Sequence, residues 1–153
     1  MRKDIRYVPT PLDVVEAMLD LASLTSADYL IDLGSGDGRI PIRAGLRGAR
    51  ARGIDIDPSL VRRSDYNAMD AGVKSLVDFQ IGNFFDADLT GATVVTLYLR
   101  NTINRDLMPK LLSELQPGTR IVSHSFDMPK WAPEQEVEVS TKLLFLWIVP
   151  EES

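Results

Sequence analysis

The stretch Asp32-Leu33-Gly34-Ser35-Gly36-Asp37-Gly38-Arg39 restricts what this chain can fold into more than any other. It follows the apolar run Tyr29-Leu30-Ile31 and leads into Ile40-Pro41-Ile42-Arg43-Ala44. An apolar run that breaks into three alternating glycines reads as a buried strand, a tight turn and the start of a helix. Such a turn needs backbone angles that a Cβ disfavours, and it lets a ligand approach the main chain closely. The expectation is a nucleotide-type cradle in the first βαβ unit.

The spacing decides what kind of ligand the cradle suits. A dinucleotide fingerprint, Gly-x-Gly-x-x-Gly/Ala, needs a small residue at position 39, where this chain has Arg39. Asp32, at the strand end, sits badly against a pyrophosphate and well against a cationic amino group. That favours the methionine part of S-adenosylmethionine over NAD. A structural glycine turn that holds nothing is the plain alternative.

At 153 residues the chain is expected to form a single domain, 1–153, with room for one sizeable core and none for a second catalytic domain. Its 17 Lys+Arg against 22 Asp+Glu give a formal charge of −5, so no net field draws in a polyanion and a nucleic-acid partner is not expected. Arg39, Arg43, Arg47, Arg50 and Arg52 lie close together and read as solvated helix-face charge rather than a basic patch. The absence of cysteine removes disulfides, thiolate metal sites and a thiol nucleophile. His124 follows the strand-like Arg120-Ile121-Val122-Ser123 with no serine elbow elsewhere, so a Ser-His-Asp triad is not expected. The amino terminus lacks the apolar segment of a signal peptide, and Leu143 to Val149 is too short to span a bilayer; a cytoplasmic protein without membrane contact is expected.

Along the chain, Thr10 reads as the cap of a first helix that has Pro11 at its first position, an apolar face of Leu12, Val15, Met18, Leu19 and Ala22, and an end near Leu24. The arm Tyr7-Val8-Pro9-Thr10 is placed to fold over the glycine turn. A helix over 39–47 leads to a second strand, Ala51 to Asp55, and Asp55 lies 21 residues beyond Gly34. An acid there can accept hydrogen bonds from both hydroxyls of a ribose. Asp57-Pro58 reads as the cap and first turn of a third helix closed by Gly72. The third strand, Val77 to Ile81, ends in Gly82-Asn83-Phe84-Phe85-Asp86, where Asn83 can bond a base edge and Phe84 can flank its face. Thr93 to Leu99 is a buried strand, followed by a helix with Ile103, Leu107, Leu111, Leu112 and Leu115 on one face and a stop at Pro117-Gly118. A strand at Thr119 to Phe126 and a hairpin of Glu136 to Val139 and Leu143 to Val149 complete seven strands. The pattern predicts an α/β fold, a doubly wound, mostly parallel seven-stranded sheet with one antiparallel strand.

With these motifs in hand the chain resembles the class I, seven-strand S-adenosylmethionine-dependent methyltransferases, whose fold is Rossmann-like. Tyr-Val-Pro-Thr-Pro at 7–11, the glycine stretch at 32–39, Ala-Thr-Val-Val-Thr-Leu-Tyr-Leu at 92–99 and Pro-Gly-Thr-Arg-Ile-Val-Ser-His-Ser-Phe-Asp-Met at 117–128 are similar to a narrower group. These are the small protein lysine methyltransferases of archaea, with related bacterial and mitochondrial members. The likeness runs from Tyr7 to Trp131. Asp55 stands in place of the usual glutamate, Asn83 where aspartate is common, and Arg100-Asn101-Thr102-Ile103-Asn104 replaces a more apolar segment.

The resemblance implies S-adenosylmethionine as cofactor and the side-chain amine of a protein lysine as acceptor, with no metal. It assigns the cofactor to Thr10, Asp32, Gly34, Gly36, Gly38, Asp55, Asn83 and Phe84, and the orientation of the acceptor nitrogen to Tyr98 with Thr96 and Tyr7. The adenine and glutamine methyltransferases carry Asn/Asp-Pro-Pro-Tyr/Phe at the end of strand four, where this chain has Leu97-Tyr98-Leu99-Arg100. A small-molecule methyltransferase and a non-catalytic nucleotide-binding module are the two alternatives.

Overall fold

A computed structural model describes residues 9–98, 101–125, 127–128 and 130–151. The apolar runs become the strands β1 (Tyr29–Leu33), β2 (Arg50–Asp55), β3 (Val77–Ile81), β4 (Val94–Leu97), β5 (Arg120–His124), β6 (Gln135–Val139) and β7 (Lys142–Ile148). They pair in the order β3-β2-β1-β4-β5-β7-β6. The first five are parallel, and β7 runs antiparallel to both β5 and β6. This is the seven-stranded sheet with one antiparallel strand that the strand and helix pattern predicts. The chain winds outward from β1 to β3 and then returns to start again at β4, so the winding direction reverses between β1 and β4. Open α/β sheets bind ligands at such a reversal.

Both faces of the sheet are covered, which is why its central strands are apolar almost throughout. Successive residues point to opposite faces. Leu30, Ala51, Val77, Val94 and Val122 pack under α1 (Leu12–Leu21), α2 (Arg39–Leu46) and α3 (Pro58–Asp70), while Ile31, Leu33, Val95, Leu97 and Ile121 pack with Leu107 and Leu111 of α4 (Asn101–Glu114) and with Trp147. Asp57 caps α3 as expected: its side chain accepts from the Ser59 amide at 2.9 Å, and Gly72 follows with a φ of +77°.

The first helix differs from the expectation. Thr10 does not cap it: Pro11 takes that position, its carbonyl accepting from the Val15 amide at 2.9 Å, and the Thr10 hydroxyl pairs instead with His124. Val14 is buried and Leu12, in the first turn, is 51% exposed. The helix stops at Leu21 because Ser23 adopts a φ of +54°, which lets the Leu24 amide bond back to the Leu19 carbonyl. On α4, Leu112 is exposed beside the buried stripe of Leu107, Leu111 and Leu115.

One glycine inside a strand positions the site. Gly53 lies in register with Asp32 on β1 and Phe79 on β3. A Cβ there would stand 2.6 Å from the Ser35 Cβ and 2.6 Å from the Phe79 Cδ1, so the glycine loop rests on bare backbone. Gly53→Ala should therefore lower stability by about 1–3 kcal/mol through overpacking, and displace the loop above it. Urea denaturation and cofactor titration of this variant check both effects; an unchanged midpoint with unchanged affinity would contradict them.

Candidate active site

The glycine loop leaves β1 and is held from three sides. Gly34, Gly36 and Gly38 adopt φ of +86°, +57° and +86°, the left-handed region that side chains other than glycine rarely enter. The carbonyl of Ile54 on β2 accepts from the Gly34 and Ser35 amides at 2.8 and 3.1 Å. From α3, the Ser64 hydroxyl donates to the Gly36 carbonyl at 2.9 Å and the Asn67 side-chain amide to the Asp37 carbonyl at 3.0 Å. Gly38 is also tight against its surroundings, since a Cβ would come 2.7 Å from the Phe79 ring. In the sequence, Ser64 and Asn67 show only as two polar residues three apart, and so on one face, in the helix after Asp55.

Asp55 lies at the end of β2, beside the loop, and is already engaged. Its Oδ2 accepts from the Gly36 amide at 2.9 Å and its Oδ1 from the Asp57 amide at 3.0 Å. Each carboxylate oxygen has a second lone-pair site, so a ribose diol can still be bound there. The carboxylate thus shapes the loop in addition to any part in ligand binding. Ile56, the next residue, is 66% exposed and places an apolar surface at the same strand edge. Around it, the Gly82 amide bonds the Asp55 carbonyl at 3.0 Å, and the Asn83 Oδ1 accepts from the Phe85 amide at 2.9 Å, opening the short 3-10 turn Phe84–Asp86. Phe84 packs against the core while Phe85 is 43% exposed.

Asp32 is the most unusual group in the site. It is 2% exposed, and the hydroxyl of Thr96, its register partner on β4, donates to its Oδ1 at 2.8 Å. Burial pushes its pKa up to about 7, the nearby Asp55 and Asp37 carboxylates add to the rise, and the Thr96 hydroxyl opposes it. Thr96 is wholly buried and its hydroxyl is directed at Asp32.

Tyr98 and His124 occupy the next strand ends. The two rings stack with centroids 4.1 Å apart and planes inclined at 25°. His124 is buried, and its Nδ1 lies 3.2 Å from the Thr10 hydroxyl. Thr10 is joined in turn to the loop, because the Arg39 Nη1 donates to its carbonyl at 3.0 Å while the Arg39 Nε and Nη2 bond the Asp37 carboxylate at 3.1 and 2.7 Å. Tyr7 lies outside the described residues. Thr10, Asp32, the three glycines, Asp55, Thr96 and Tyr98 are thus brought to one edge of the sheet, with Asn83 and Phe84 alongside Asp55.

The arrangement suits a ligand with a cationic end and a sugar. A buried carboxyl and a Ser35 hydroxyl that have, among the described residues, no cation and no hydrogen-bond partner respectively lie with a backbone cradle that admits no Cβ within one loop and its floor. Among the described residues no group of three or more metal-ligating side chains converges. No helix among them is long and apolar enough to cross a membrane.

In the ligand-free protein Asp32 holds its proton more tightly folded than unfolded. It therefore contributes stability that is full below the unfolded pKa near 4 and is lost as pH rises to about 7, at up to about 1.4 kcal/mol per pH unit. His124, held by burial and by the charge of Lys142 at about 4, gives the opposite slope up to its ordinary value near 6.5. The difference between wild type and Asp32→Asn isolates the carboxyl. That difference should shift in favour of the variant between pH 5 and 7, as measured by chemical denaturation; a difference independent of pH would contradict the raised pKa.

Comparison with known proteins agrees with this geometry. Residues 32–135 match the ANTKMT methyltransferase domain. A protein-lysine N-methyltransferase of Saccharolobus islandicus is 39% identical over 96% of this chain and 95% of its own length. The adenine nucleotide translocase lysine N-methyltransferase of Mus musculus is 31% identical over 97% of this chain, which spans 65% of that longer protein. Among solved structures, one described as an RNA methyltransferase from Salinibacter ruber, in complex with S-adenosyl-L-homocysteine, is 52% identical with a TM-score of 0.93, covering 95% of this chain and 96% of that one. The chain belongs to the ANTKMT methyltransferase domain family, and it is an enzyme that takes its methyl group from S-adenosylmethionine.

Proposed function

We propose that this enzyme methylates the side-chain amine of protein lysines. The observation that carries the proposal is the match to a protein-lysine N-methyltransferase along almost the whole of both chains. Two features of this chain support it. The end of β4 has Leu97-Tyr98 where an Asn-Pro-Pro-Tyr type of motif would grip a flat amide or exocyclic amine. The arginines clustered between 39 and 52 are also engaged within the protein: Arg39 with Asp37, Arg43 with Glu16, Arg47 with Glu16 and Asp20, Arg52 with Asp78, and Arg50 over the Tyr29 ring at 4.4 Å. RNA is the second reading, favoured by the description of the Salinibacter ruber protein.

In this proposal Asp32 faces the cofactor's ammonium group and exchanges its proton for that charge, with Thr96 fixing the carboxyl. The loop glycines admit the methionine part, Thr10 closes over it, and Asp55 receives the ribose hydroxyls. Asn83, Phe84 and Ile56 receive the base. S-adenosylmethionine supplies a methyl group on a sulfonium, whose carbon–sulfur bond breaks as the amine's lone pair forms the new carbon–nitrogen bond. The protein's task is alignment. Tyr98, with Tyr7, orients the incoming nitrogen, which must arrive unprotonated, while Thr96, expected on that side, is wholly buried with its hydroxyl on Asp32 and so serves the cofactor side; the methylated product then gives its extra proton to solvent.

Lysate incubated with labelled S-adenosylmethionine and the enzyme, then analysed by mass spectrometry, should show methyl groups on lysine. Label confined to RNA or to small molecules would overturn the assignment. The transfer rate should rise with pH over roughly 7–9 as the bound lysine loses its proton.

Asp55→Ala removes the contacts to the Gly36 and Asp57 amides together with the ribose acceptors, so cofactor affinity should fall by about ten-fold or more, at on the order of 1.5–3 kcal/mol. Equilibrium titration checks this, and an unchanged dissociation constant would exclude Asp55 from the cofactor site.

A further inference from the structure

We propose that His124 is a positioning residue of the transfer site, whose ring sets the orientation of Tyr98 and couples it, through Thr10 and Arg39, to the glycine loop. The inference rests on the reading of Tyr98 given above and extends it to a residue that no triad or metal site needs. His124 is the last residue of β5, on the ligand edge of the sheet and one strand away from the end of β4. Its ring is stacked on Tyr98 at 4.1 Å, and it is only 1% exposed.

The ring's two nitrogens are treated differently. Nδ1 meets the Thr10 hydroxyl at 3.2 Å, whereas Nε2 is buried with no hydrogen-bond partner among the described residues. Either tautomer leaves Nε2 unsatisfied, as a bare lone pair or as an unused N–H. A buried polar atom without a partner carries a desolvation cost that leucine or phenylalanine would not incur at the same place. Ser125, directly after it, holds a φ of +69°, a second local cost at the same strand end. Costs of this kind collect at functional sites. Burial and Lys142 keep the ring uncharged at physiological pH, so it can stack on Tyr98 without placing a second positive charge beside a sulfonium.

The contacts form a continuous path. Asp37 holds Arg39, Arg39 holds the Thr10 carbonyl, the Thr10 hydroxyl meets His124, and His124 lies on Tyr98. Two of these residues belong to the loop proposed to hold the cofactor and one is proposed to face the acceptor. The segment before α1 is therefore clasped at both ends of the reaction, and the imidazole is its contact with the acceptor side.

The test is single-turnover methylation with labelled S-adenosylmethionine and lysate protein as acceptor, alongside cofactor titration and thermal melting of each variant. His124→Leu, which removes the stack, should slow transfer about ten-fold while the cofactor dissociation constant stays within two-fold of wild type. His124→Phe, which restores a stacking ring but not the contact with Thr10, should recover only part of that loss, and full recovery would overturn the coupling through Thr10 and Arg39. The double variant of His124→Leu with Tyr98→Leu should be no slower than Tyr98→Leu alone, because the histidine acts through the tyrosine. Multiplying costs, or a His124→Leu effect confined to melting temperature or cofactor affinity, would overturn the proposal. If Tyr98→Leu transfers at the wild-type rate, the role of Tyr98 fails and this inference fails with it; a slow Tyr98→Leu beside an unimpaired His124→Leu removes the histidine alone.

Discussion

A carboxyl group buried with no cation beside it among the described residues is the constraint on which the rest of this structure turns. Asp32 sits near the end of β1, at the reversal of the sheet, under a loop that only glycine can form. Desolvating a carboxylate is expensive, and the described residues offer it the neutral donor Thr96 and two further acids nearby. The group responds by keeping its proton to about pH 7. In the proposed function, the ammonium group of the cofactor removes the reason to do so, and the cost of burial then selects for charge.

The other end of the same strand shows what a structural acid looks like. Asp28, just before β1, is also buried, yet it accepts from the Thr25 amide at 2.8 Å and the Thr93 hydroxyl at 2.7 Å and pairs with Arg120. Burial alone would raise its pKa, but these donors and the arginine outweigh burial and hold it low. It ties the starts of β1, β4 and β5 together. Two aspartates four residues apart thus carry opposite electrostatics: one has all its partners within the protein, and the other lacks a cation that the proposed cofactor would bring.

Much of the fold was legible in the sequence because it depends on local signals. The glycine spacing, the Asp57-Pro58 cap, the alternation of strands with helices and the terminal hairpin each needed only a few neighbouring residues, and the sheet follows from them. The contacts that build the site are of a different kind. Thr10 reads locally as a helix cap, and nothing nearby says that its hydroxyl will meet His124, 114 residues further along. Asp55 reads as a ribose acceptor, and its grip on the Gly36 amide appears only once β1 and β2 are aligned. Ser64, Asn67 and Gly53 stayed silent because their partners are backbone atoms or packed rings on other elements.

The central claim is that Asp32 exchanges a proton for the cofactor's cation, and carbon-13 NMR of its carboxyl group measures that directly. In the free protein the resonance should titrate near pH 7. With saturating S-adenosylmethionine it should remain that of a carboxylate to well below this pH. A titration in the ordinary aspartate range near 4 in the free protein, or one near 7 that the cofactor leaves in place, would contradict the account.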